Sequence, residues 1–295
     1  MCVEATIVES EIALAHFLDG VGRPRLDGAA ICGAGSLLGE EQLQFSHDDL
    51  LIDARRLAAE AACPVRLLSV FDAVARSLPA IPADELLSLR AGQAVSGAPR
   101  LVIGIGAELD IAAVTQQGDA VHVLGGECGE FDLAPIDDDE LTVWLALRQT
   151  LGRVSADTLF TPAGLLALHR ARSCAARSPE LLIRDALAGE VQPRLSISIY
   201  SRWFGRMLGK LALLTGARGG VYVSGSVVPG GLEWFDVTAF CTGFDEHAAT
   251  RPSLGGIPLY AITHPQPALL GCAVFASAGI PTAPSPAAAS SAPLA

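Results

Sequence analysis

Basic residues are in short supply: 20 lysines and arginines stand against 32 aspartates and glutamates, a formal net charge of -12. Such a chain repels nucleic acid and anionic membrane, and no basic stripe argues otherwise. A long apolar run is also missing. The nearest approach, Ala268 to Ala278, ends at Gly279 and Pro281, short of the roughly 20 residues that a membrane span needs. Glu4 and Glu9 occupy an N-terminus that has no basic segment ahead of an apolar core, so it does not read as a secretory signal. The seven cysteines are odd in number, scattered and never spaced C-x-x-C, which argues against a disulfide framework and a zinc site. The six histidines form no i, i+4 pair. A reducing cytoplasm is the expected location, with neither nucleic acid nor membrane as a partner.

What is present is material for buried cores. The 295 residues are 51% hydrophobic and 18% charged, enough for two domains of ordinary size. Apolar spacing predicts a helix over Glu9–Leu18, and Gly28–Ile31 reads as a short strand. Ser46 is placed to cap a helix reaching about Ala62. Val65–Phe71 is a continuous apolar strand of the buried parallel kind, with Asp72 opening the helix after it. Pro82 starts another short helix, and the Ala-Gly-Gln-Ala-Val-Ser-Gly stretch before Arg100 is the expected seam between domains. Strand Leu101–Gly106 then leads into a hairpin, Ile111–Thr115 and Ala120–Leu124, around Gln116-Gln117-Gly118-Asp119. Helices are expected over Asp138–Leu151, Ser155–Arg172, Pro179–Gly189 and Ile197–Thr215, with Ser178 as a start signal. Val221–Ser224 and Ile257–Thr263 are buried strands, each followed by a helix. This alternation is an α/β architecture with two sheet-centred lobes. The expected domains are 1–98, 99–280 and a disordered Ala/Pro/Ser-rich tail, 281–295.

The run Leu124–Pro135, Leu-Gly-Gly-Glu-Cys-Gly-Glu-Phe-Asp-Leu-Ala-Pro, resembles the bacterial glucokinase pattern L-P-G-E-G-G-H-V-D-F-A-P. Other segments match in the same order. Leu68-Ser69-Val70-Phe71-Asp72-Ala73 resembles I-N-D-F-x-A, Val154-Ser155-Ala156-Asp157 resembles V-S-A-E, Val223 to Pro229 resembles I-A-G-G-I-V-P, and Leu269-Leu270-Gly271 the closing L-L-G. The resemblance implies a two-lobed hexokinase-like, actin-like fold of the ribonuclease H kind, closing over a cleft that holds a hexose and a nucleotide. It also implies a homodimer.

The same comparison exposes departures. The family's D-x-G-G-T-N phosphate hairpin has no counterpart in this sequence, so a shortened N-terminal lobe is expected, with the start of the gene as the other explanation. The second phosphate turn, G-T-G-L-G, here reads Gly106-Ala107-Glu108-Leu109-Asp110. Carboxylates there would repel a triphosphate, unless they face solvent. The family's general base, an aspartate, is replaced by Val70, which cannot accept a proton; losing such a base costs roughly 10²–10⁴ in rate. Asp72 reads as a helix cap rather than a substitute. Glu127 matches the sugar-binding glutamate, Asp157 is a shortened version of a second, Glu130 replaces a histidine, Ser69 stands for an asparagine, and Gly39–Leu43 replaces T-N-x-x-W. Gly106 and Gly225 retain nucleotide-side glycines, with Ser226 in place of the next glycine.

Several features are decoys. Gly104 to Leu109 lacks the third glycine of a dinucleotide fingerprint. Gly209-Lys210 lies inside a helix rather than a phosphate loop. Cys128, flanked by acids, should be inert. The expectation is a glucokinase-family protein without catalysis, a sugar-sensing or protein-binding module needing no cofactor, with glucose or a related hexose as ligand. The alternatives are an active kinase using ATP and Mg to phosphorylate glucose, and a structural partner of another kinase.

Overall fold

The computed structural model describes residues 10–45, 50–105, 109–118, 120–225, 228–247 and 254–279. The chain divides into two compact units, the first comprising residues up to Ala73 together with those from Ala268 onward, the second Val74–Pro267.

In the first unit, β1 (Ala29–Gly33) runs parallel to β5 (Val65–Ser69), in register from Ala29↔Val65 to Gly33↔Ser69. A separate antiparallel sheet joins β2 (Gly35–Leu38), β3 (Gln42–Phe45) and β4 (Leu51–Asp53). Helices α1 (Ser10–Gly20) and α2 (Ala54–Ala61) contribute Leu18 and Leu57 to a core shared with Leu43, Ile52, Val65 and Leu67. A smaller cluster unites Leu68 and Ala73 with Cys272 of α10 (Pro267–Ser277). The helix expected from Ser46 begins instead at Ala54, because Asp53 is the residue whose side chain accepts the Arg55 N–H, at 2.8 Å. The preceding Leu51-Ile52 pair alternates exposed and buried, a strand pattern. Ser46–Asp49 lie outside the described residues.

The second unit is built on a six-stranded sheet. Its strands are β6 (Leu86–Arg90), β7 (Arg100–Ile105), β8 (Leu109–Gln117), β9 (Ala120–Glu127), β10 (Val221–Gly225) and β11 (Leu259–Ile262), in the order β6-β11-β10-β7-β8-β9. β7, β10 and β11 are parallel and carry the buried apolar runs; β7, β8 and β9 form an antiparallel meander. Around it lie α4 (Asp138–Leu151), α5 (Ala156–Leu159), α6 (Pro162–Ala171), α7 (Pro179–Leu187), α8 (Val191–Thr215) and α9 (Val237–Phe244). Aromatic residues are few but concentrated: Phe160 meets Phe204 edge-on at 5.1 Å, and Phe204 stacks on Phe240 at 5.6 Å.

The α8–α9 crossing explains the Gly209-Lys210 decoy. A Cβ at Gly205 would collide with the Phe240 carbonyl, one at Gly209 with that of Phe244, and one at Gly243 with that of Arg202. These glycines let two backbones touch, while Lys210 is exposed.

Other expectations are corrected. The helix at Pro82 is a single 3₁₀ turn, Ala83–Glu85, followed by the unanticipated edge strand β6. The 92–98 stretch is bound into the second unit by Gln93 N–H to Gly256 O and Val95 N–H to Arg218 O, both 2.9 Å. The two compact units meet in sequence at Ala73/Val74, within α3 (Val70–Ser77), and the last described helix belongs almost wholly to the first unit. The helix expected over Ser155–Arg172 is broken after Leu159, where Thr161 caps a new start with Pro162 in its first turn. Helix α8 begins at Val191, six residues before Ile197. The 281–295 tail lies outside the described residues.

Candidate functional site

The Leu124–Pro135 motif starts on β9 and leaves the sheet after Glu127. Beyond it, residues 128–133 are stitched to 154–157. Leu133 N–H donates to Val154 O, Ala156 N–H to Phe131 O, and Asp157 N–H to Gly129 O, each at 2.9 Å. The Trp144 indole donates to Leu133 O at 2.6 Å. Ser155 and Thr158 form a capping box that starts α5 and thereby fixes Asp157 in its first turn.

Asp157 is turned into this assembly. Its Oδ1 accepts the Leu109 N–H at 2.9 Å, and a Cβ at buried Gly129 would overlap its carboxylate. The Cys128 thiol donates to Leu109 O at 3.5 Å. Both backbone polar groups of Leu109, the first residue of β8, are thus held from the motif loop and α5. Cys128 is fully buried, and burial followed by the charges of Asp110 and Asp157 pushes its thiol pKa far up. The upward direction is the one expected, but its first cause is burial, and the acids that add to it are Asp110 and Asp157 rather than the sequence neighbours Glu127 and Glu130.

Glu127 is exposed and stands directly opposite Asp110 across β8 and β9, a pairing of like charges that costs stability unless screened or bonded elsewhere. Glu130 is engaged by Arg153: its carboxylate ion-pairs with the guanidinium, and its carbonyl accepts from Nη2 at 2.6 Å. Arg153 Nε also reaches Asp132 at 2.5 Å. Arg153 was not among the sequence candidates, although its place immediately before Val154-Ser155-Ala156-Asp157, facing acids at alternate positions 130 and 132, is a usable signal.

In the first unit, Ser69 ends β5 and its Oγ accepts the Asp72 N–H at 3.1 Å. The cap of α3 is therefore Ser69, not Asp72, which lies in the first turn. Val70 is the first residue of α3 and half-buried. Where the family has T-N-x-x-W, Glu40 pairs with Arg66 at 2.5 Å, Glu41 pairs with Arg55, and Leu43 is 1% exposed in the core. These positions are committed to a turn and its packing.

Gly225, expected from the resemblance to be a nucleotide-side glycine, closes β10 at φ +99°, and a Cβ there would strike Ile105 O. Glycine is required for both reasons. Gly106, Glu108 and Ser226 lie outside the described residues. Two hollows, of about 500 Å³ beside Arg100 and Tyr222 and about 200 Å³ beside Arg23 and Glu60, contain none of the candidate residues. No group of three metal-ligating side chains occurs among the described residues, and no described helix is long and apolar enough to cross a membrane.

Residues 5–279 match the family model described as Glucokinase. The chain belongs to the glucokinase family. A glucokinase of Yersinia pestis (strain Pestoides F) is 34% identical over 218 residues, covering 72% of this chain and 68% of that protein. Among solved structures, glucokinase from an Antarctic psychrotroph superposes with a TM-score of 0.79 at 22% identity, covering 90% of this chain and 84% of that one. Glucokinase from Balamuthia mandrillaris, in complex with glucose, gives 0.72 at 16% identity, with 94% and 86% covered. The α/β glucokinase fold read from the motifs is the fold observed.

Proposed function

We propose that this glucokinase-family chain is a non-catalytic member, a hexose-sensing or protein-binding module in which phosphoryl transfer has been lost. The observation that carries the reading is Val70 at the family's base position, where no proton can be accepted. The second phosphate turn supports it. The Leu109 N–H is donated to Asp157, and Asp110 carries a negative charge opposite Glu127, so these residues do not fit a triphosphate. Glu127, exposed at the end of β9, is the strongest remaining hexose contact, because a carboxylate accepts hydrogen bonds from neighbouring sugar hydroxyls. Asp157, Glu130 and Ser69, which make the contacts described above, are the further candidates.

A second reading, ATP-dependent phosphorylation of the glucose 6-hydroxyl, rests on the glucokinase relative at 34% identity. A coupled phosphorylation assay with glucose and MgATP separates the two. We expect turnover at least 10²-fold below the roughly 1–100 per second of ordinary kinases, and a gain of tenfold or more in Val70→Asp. Wild-type turnover inside that range would establish the second reading. Calorimetry with glucose should show binding that Glu127→Ala abolishes; absence of any heat would leave the protein-binding role. By family resemblance the chain should be a cytoplasmic homodimer, which light scattering checks for its oligomeric part.

A further inference from the structure

The first unit holds a pair of thiols that the glucokinase reading does not use. Cys32 lies on β1, directly opposite Leu68 of β5. Cys272 lies on α10 and is 5% exposed. Neither is in a disulfide, both belong to one small cluster with Leu68, Ala73 and Phe275, and their side chains share a hydrogen bond. The contact is held by close packing on either side. A Cβ at Gly271, next to Cys272, would overlap the Ala73 carbonyl, so α10 is pressed against the start of α3 with backbone in contact. On the other side, β1 is fixed by five register pairs to β5.

We propose that Cys32 and Cys272 form a reversible disulfide, a redox site that staples α10 to β1 when a peroxide oxidises the pair. Cys32 is the partly accessible member and Cys272 the buried one, which assigns the order of events. The Cys32 thiolate attacks one peroxide oxygen, the O–O bond breaks, and water leaves after protonation, giving a sulfenic acid. The Cys272 sulfur then attacks the Cys32 sulfur, its proton joins the departing hydroxide as a second water, and the disulfide is complete. Two thiols are oxidised, one peroxide is reduced and two waters form. Supporting this direction, the hydrogen bond from Cys272 lowers the Cys32 pKa against the opposing effect of burial. Burial instead pushes Cys63, Cys128 and Cys241 up. Thiols packed in one cluster and sharing a hydrogen bond are placed to approach the ~2.05 Å of a disulfide through rotamer adjustment. The cross-link would sit one strand from Ser69 and Val70, since Gly33 is in register with Ser69.

The test treats the full-length protein with equimolar hydrogen peroxide and maps its peptides without reduction. The expected result is a Cys32–Cys272 linked pair, loss of two of the seven thiols, and a Tm rise of about 5 °C that dithiothreitol reverses. Cys272→Ser should stop the reaction at a Cys32 sulfenic acid trapped by dimedone, and Cys32→Ser should leave Cys272 reduced. Should either variant fail to fold, the wild-type peptide map still decides. Oxidation falling on other cysteines, or Cys32 advancing to sulfinic acid with Cys272 still reduced, would overturn the proposal.

Discussion

Asp157 and Gly129 show how a single contact redirects a residue. The shortened acid reaches the Leu109 N–H and fills the space beside the glycine. Asp157→Ala should cost about 1–3 kcal/mol by leaving a partly buried N–H without its acceptor, read as a lower urea midpoint with an unchanged slope. Gly129→Ala should be destabilised by a similar ~1–3 kcal/mol through overpacking. A neutral result for both would refute the claim that the carboxylate secures the turn. Glu130 teaches a related lesson. Read from the sequence as the replacement for a family histidine, it is ion-paired in the fold to Arg153, which also holds Asp132.

At the scale of elements, the second unit depends on α8, whose side chains are buried on most faces. Gly205→Ala would drive a methyl group into the Phe240 carbonyl and should lower stability by about 1–3 kcal/mol in chemical denaturation. The same helix carries Arg206, 5% exposed, bonded to Glu140 and Glu246, with Arg202 also reaching Glu246 at 2.6 Å. Burial alone would raise the Glu246 pKa, but its bonds to Arg206 and Arg202 outweigh burial and hold it below its ordinary 4.5. A depressed carboxylate contributes stability above its unfolded pKa and loses it as pH falls through the folded value. Arg206→Leu should therefore cost about 3–5 kcal/mol near neutrality, by stranding buried carboxylates. The gap in Tm from wild type should narrow as pH drops from 7 to below 4. A gap independent of pH would mean that lost packing, not charge, sets the cost.

For the whole molecule, the net charge of -12 makes a direct prediction. Fluorescence anisotropy with a single-stranded oligonucleotide in 50 mM salt should show no association below 100 µM, outside the roughly 10⁻⁴–10⁻⁶ M of non-specific binders. Much of the architecture was legible beforehand, for identifiable reasons. Helix α4 was read at its observed limits because three acids crowd its first turn and apolar spacing runs unbroken to Leu151. Ser178-Pro179 marked α7 for the same local cause. What escaped were short elements without a period of their own: β2 and β3, which pair with each other across a tight turn, and β6, which exists through pairing with distant β11.

The site divides along the same line. Order of motifs along the chain was sufficient to identify the glucokinase fold, and the identities of Val70 and Asp110, on which the proposed loss of catalysis rests, were readable there because residue identity is local information. Which acid finds a base, which thiol finds a thiol and which carboxylate turns inward toward a backbone N–H were decided only by folding. Arg153 beside Glu130, Cys32 beside Cys272 and Asp157 beneath Leu109 are neighbours because helices and strands bring separated segments within hydrogen-bonding reach. Linear spacing carries no record of those distances.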